Sequence, residues 1–174
     1  MSKLLILDAN VIICAFKAGL WKTLVSRYQL VLPQIIVDES QYYLDSNNNK
    51  VKINITNEIH AGMLELIQPT INELESLCTR FKKDFIEGID AGELHALSFL
   101  YSQKLVGYRF CTGDTPAIRA AAILGLTDCM VSFESILLEC GLKEQSSKLK
   151  QHFKTKALQI KLGEGLRDKN MYEK

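Results

Sequence analysis

The chain has 174 residues, 47% hydrophobic and 24% charged, the balance of one globular domain that can bury a substantial core. Three prolines and ten glycines argue against long low-complexity stretches, and the apolar runs fall short of the roughly 18 residues that a membrane span needs. The net charge of +1 hides an asymmetry: residues 143–174 carry nine Lys/Arg against four Asp/Glu, while residues 1–142 carry twelve against sixteen. A basic end beside an acidic body suits a polyanionic partner, although a charge run taken by itself is more often a solvated helix face.

The apolar run Leu4-Leu5-Ile6-Leu7 predicts a buried first strand, closed by Asp8-Ala9-Asn10. Asn10 or Asp8 can cap a helix through Val11 to Phe16, and a second helix is expected from about Leu20 to Tyr28. Gln29 to Leu32 reads as a short strand. Pro33 then opens a helix on which Ile36, Val37, Ser40 and Tyr43 share roughly helical spacing. The polar cluster Asp45 to Lys50 is a loop, and the alternation Val51 to Ile55 a half-buried strand. Thr56 to Ile86 reads as helical with a break at Gln68-Pro69-Thr70, and its stripe is Ile71, Leu74, Leu77, Cys78 and Phe81.

Ala91 to Gln103 is a further helix, followed by a strand from Leu105 to Cys111. Asp114 to Leu124 is a helix with Gly125 at the position after its end, and Cys129-Met130-Val131 a short strand. Phe133 to Cys140 is a helix closed by Gly141. A final helix is expected over about Glu144 to Leu162, with a frayed tail from Gly163 to Lys174. Strands alternating with helices imply a mainly parallel sheet in an α/β fold. Five cysteines without a Cys-x-x-Cys pair read as small buried residues of a reducing cytoplasm. Met1-Ser2-Lys3 leads directly into a strand, so no signal peptide is expected.

Four acids fall where such a sheet delivers residues to one rim: Asp8, Glu39, Glu93 and Asp114. Ligands of open α/β sheets bind outside the carboxyl ends of the strands. Carboxylates gathered there repel one another unless a hard cation neutralises them, and oxygen donors suit Mg²⁺ or Mn²⁺. Each acid also has a plain structural reading. Asp8 and Asp114 can cap helices, Glu93 can favour a helix dipole from the first turn, and Glu39 can belong to a polar helix face with Asp38.

The order and flanks of these acids resemble the PIN-domain nuclease family, toxin-like VapC-type branch. The stretches concerned are Leu4 to Asn10, Leu32 to Glu39, Asp90-Ala91-Gly92-Glu93 to Leu97, and Thr112-Gly113-Asp114 with the helix from Ala117 to Leu126. Phe133 to Leu138 and Gly141-Leu142 resemble the family's closing helix, so the likeness spans roughly residues 3 to 142. The resemblance implies a three-layer α/β/α domain over residues 1–142, with residues 143–174 as a basic helical extension of the same domain. It implies a metal-dependent endoribonuclease in which Asp8, Glu39, Glu93 and Asp114 hold one or two Mg²⁺ or Mn²⁺ ions.

It further implies an RNA substrate, a cytoplasmic setting without a membrane, a homodimer, and an antitoxin partner if the chain is a toxin. Asn10 and Thr112 are candidates for hydrogen bonds behind the metal or to substrate, and Arg119 for a phosphate contact or a plain surface position. Asp38 and Asp90 stand outside the core set. The helical region between Asn47 and Phe85 and the basic extension depart from compact toxin-like members. The non-enzymatic alternative is a PIN-like RNA-binding or protein-interaction module.

Other chemistries lack their signatures. A haloacid-dehalogenase phosphatase needs a second acid two residues after the first, and Asn10 stands there. No Gly-x-Gly-x-x-Gly or P-loop follows a strand, and His60, His95 and His152 lack zinc-ligand spacing. The aromatic residues are dispersed among apolar stripes and form no stacking platform.

Overall fold

A computed structural model describes residues 3–103 and 107–174. In β1 (Lys3–Leu7) the consecutive residues Leu5, Ile6 and Leu7 are all fully buried. A strand apolar on both faces needs cover on both, which places it inside a parallel sheet. Asp8 stops the strand and caps α1 (Ala9–Lys17), accepting the Val11 amide at 2.6 Å. α2 (Trp21–Arg27) leads into β2 (Tyr28–Pro33), and α3 (Gln34–Glu39) follows directly. β3 (Tyr42–Leu44) and β4 (Lys50–Lys52) form a separate antiparallel pair.

The chain continues through α4 (Thr56–His60), β5 (Leu64–Ile67), α5 (Ile71–Cys78) and α6 (Lys83–Ile86) to the long α7 (Ala91–Gln103). β6 (Tyr108–Cys111) then delivers α8 (Thr115–Ile123), capped by Asp114. A 3₁₀ turn (Thr127–Cys129), α9 (Phe133–Glu139), α10 (Lys143–Ser147), a second 3₁₀ turn (Gln151–Phe153), α11 (Thr155–Arg167) and α12 (Lys169–Tyr172) complete the chain. Among the described residues, no single helix is long and apolar enough to cross a membrane.

The central sheet is parallel, in the order β5-β2-β1-β6, and forms the middle layer of an α/β/α fold. Leu7 lies opposite Cys111, and the Asp8 amide donates to the Cys111 carbonyl at 3.1 Å. The chain therefore leaves β1 and β6 side by side, and Asp8 and Thr112 emerge together.

Several expectations need correction. The segment read as helical from Thr56 to Ile86 contains β5, the strand that pairs with β2 through Leu30↔Leu64. Its flanks carry helical spacing, and only the long-range pairing makes it a strand. Gly62, at φ 69°, turns the chain out of α4 just before it. Tyr43 does not continue the stripe of α3. The helix stops at Ser40, whose hydroxyl donates to the Ile36 carbonyl at 2.8 Å, and Tyr43 lies in β3. Of Val51 to Ile55, β4 takes only its start.

The start of the expected Leu105–Cys111 strand, residues 105 and 106, lies outside the described residues. Cys129-Met130-Val131 makes one bridge to Phe110 in place of a strand. The final helix is broken between α10 and α11 because Phe153 turns inward, buried edge-on to Phe133 at 5.8 Å. The tail is not frayed: Tyr172 stacks on Phe85 at 4.4 Å, and the Lys174 amide donates to the Arg80 carbonyl at 2.9 Å. All five cysteines are free thiols, but only Cys111 is fully buried; the other four are half-buried.

Candidate active site

Asp8, Glu93 and Asp114 meet around Thr112 and Gly113 at the carboxyl rim of β1 and β6. Asp8 is 2% exposed, with one carboxylate oxygen on the Val11 amide and the other 3.4 Å from the Gly113 amide. Burial raises its pKa above the usual aspartate range, and the charge of Asp114 adds to the rise. Thr112 is buried between the other two acids. Its hydroxyl donates to Glu93 Oε1 at 2.6 Å and accepts the Asp114 amide at 2.9 Å. Asp114 in turn accepts the Ala117 amide at 3.1 Å, so the capping reading of Asp8 and Asp114 holds alongside any chemical one.

Glu93 is strongly perturbed. It projects from the first turn of α7, is 5% exposed, and its Oε2 is buried without a hydrogen-bond partner among the described residues. Burial first, then the charges of Asp114, Asp8 and Asp90, push its pKa up to about 9, against the opposing Thr112 hydrogen bond.

Glu39, the last residue of α3, reaches the helix that carries Glu93. Its carboxylate rests on the start of α7: a Cβ added at Gly92 would lie 2.7 Å from Glu39 Oε2 and 2.7 Å from Ile36 Cγ1. Its pKa is raised by burial and by the charge of Asp90, with the Gly92 amide opposing. Asp90 acts on both Glu39 and Glu93, and so links the two parts of the acidic rim.

The basic extension also reaches the site, which local sequence patterns did not signal. Lys161 of α11 donates to the Gly113 carbonyl at 2.7 Å. Burial lowers its pKa, and the charges of Asp114, Glu164 and Glu93 hold it up. His152 packs against Gly113, where an added Cβ would fall 2.6 Å from its Cδ2. The only sequence signal for these residues is the basic excess after Leu142. Arg119 pairs with Glu164 at 2.5 Å and ties α8 to α11. Asn10 is exposed in the first turn of α1.

No family model matches the chain. No significant similarity to a curated protein is found either.

Among the described residues, no three His, Cys, Asp or Glu side chains stand as a group that could hold a metal ion as placed. The chemistry of the donors is nevertheless suitable. The donors are all carboxylate oxygens, Glu93 Oε2 lacks a partner among the described residues, and the acids repel one another. Mg²⁺ keeps several waters and takes only one or two protein carboxylates, so a complete protein cage is not required.

Proposed function

We propose that this chain is a PIN-type endoribonuclease that uses Mg²⁺ or Mn²⁺ to hydrolyse RNA phosphodiester bonds. One observation carries the reading: three carboxylates lie together at the carboxyl rim of a parallel sheet, and Glu93 brings a buried oxygen with no hydrogen-bond partner among the described residues. Asp8, Glu93 and Asp114 would hold the cation, with Glu39 and Asp90 beside them. A divalent cation supplies charge neutralisation at the scissile phosphate and acidifies water. The chain itself orients the acids: Thr112 steers Glu93, and the Val11 and Gly113 amides steer Asp8. Lys161 adds a positive charge beside the acids, where a phosphate would otherwise meet only repulsion. A toxin role, an antitoxin and a dimer rest on the family resemblance alone.

The test is incubation of purified protein with structured and unstructured RNA, with and without Mn²⁺. Cleavage should need the metal, stop in EDTA and disappear in Asp8→Asn. Cleavage that survives in EDTA or in that variant contradicts the proposal. The second reading, a PIN-like RNA-binding module, draws on the helix-capping duties of Asp8 and Asp114 and on the lack of a preformed ligand group among the described residues. Calorimetric titration with Mn²⁺ separates the two. Binding that Asp8→Asn and Asp114→Asn abolish favours the enzyme, and no binding by the native chain favours the module.

A further inference from the structure

A cavity of about 780 Å³ lies between α1 and the segment that joins α10 to α11. That volume falls within the range of small-molecule sites. Its floor is apolar, made by Ile13, Leu20, Leu149 and Phe153. Lys17, Lys148 and Lys150 also line it, all three exposed. Lys148 pairs with Glu144 at 2.5 Å, an exposed pair of little net strength that a phosphate can displace. Among the described residues, Lys17 and Lys150 form no ion pair.

The cavity lies beside the acidic rim. Asn10, in its wall, is two residues beyond Asp8, and His152, at its edge, packs on Gly113, whose amide faces Asp8. The Cys14 thiol in the wall senses the charges of Lys150, Asp8 and Lys17 together, so lysines and site aspartate surround one small volume.

We propose that this groove binds an unpaired nucleotide of single-stranded RNA next to the scissile phosphate, with its base on the apolar floor and its backbone along Lys17, Lys148 and Lys150. The assignment rests on the ribonuclease reading of the adjacent acids. An apolar floor accepts a base face without reading its edge, and lysines neutralise phosphates whatever the sequence. Base pairing would keep a base out of such a cavity, so the groove selects unpaired RNA. The extension after Leu142 is therefore part of the substrate site, because without it the cavity has no second wall.

The experiment uses the full-length Asp8→Asn chain, a short single-stranded RNA and site-resolved alkylation of cysteines. RNA should slow modification of Cys14 several-fold and leave Cys78, which lines no part of the groove, unchanged. The double substitution Lys17→Gln/Lys150→Gln should weaken RNA binding roughly tenfold and lower the slope of log affinity against log salt by about 1.4, the share of two single-strand phosphates. Metal-dependent cleavage by the native chain with Cys14 left unprotected overturns the groove and spares the ribonuclease reading. Cys14 protection without any cleavage keeps the groove and overturns the nuclease. No RNA binding at all overturns both.

Discussion

Thr112 shows how one side chain couples the acids of this site: its hydroxyl donates to Glu93 and accepts from the Asp114 amide, which fixes the spacing between α7 and the turn before α8. Glu93 carries the measurable consequence. Its folded-state pKa of about 9 lies above the ordinary 4.5, so the folded chain keeps a proton that the unfolded chain releases. Its contribution to stability is fully present below about pH 4.5 and is lost as pH rises toward about 9. The metal-free protein should therefore melt at progressively lower temperature across that window, and Glu93→Gln should flatten the decline. Thermal melts of both proteins against pH check this, and parallel curves for the two would refute the buried, protonated glutamate. Asp8 and Asp114 were legible from sequence as acids after apolar strands. Glu93 was legible as a member of the ordered set of acids, but its burial was not, because that comes from packing between α7 and Thr112.

At the scale of elements, caps and turn glycines were readable because their causes are local. Asp114 accepts the Ala117 amide three residues on, and Gly125 ends α8 at φ 75°. β5 was missed because an edge strand four residues long owes its form to β2, and no periodicity inside it announces the pairing. The break between α10 and α11 likewise depends on a distant partner, Phe133. The contact of α11 with α8 is close enough to test by one atom. A Cβ at Gly165 would lie 2.7 Å from the Arg119 carbonyl oxygen and 3.0 Å from Ala122 Cβ. Backbone cannot yield as a flexible side chain does, so Gly165→Ala should cost about 1–3 kcal/mol in spite of its better helix propensity. Urea denaturation measures it, and a midpoint equal to or above that of the native chain would show that the helices are not locked there.

Across the whole molecule, residues 143–174 behave as an integral wall. Phe153 and Leu158 are buried, Arg119 depends on Glu164, and Tyr172 covers Phe85. A large apolar side chain contributes about 1.5–3 kcal/mol on burial, so losing several at once approaches the net stability of a typical domain. A chain truncated after Leu142 should accordingly lose its cooperative melting transition, followed by far- and near-ultraviolet circular dichroism. A truncated chain that melts like the native one would make residues 1–142 a self-sufficient domain. The sequence by itself determined the α/β class, the first strand, and the helices of α1, α7, α8 and α9, since apolar runs, periodicity and capping residues act within a few positions. Only the tertiary structure decided that Glu39 rests on Gly92, that Arg119 pairs with Glu164 of α11, and that Lys161 and His152 lie against Gly113. Those outcomes depend on which distant segments pack together, and a contact between residues 48 apart leaves no trace in the spacing of either one's neighbours.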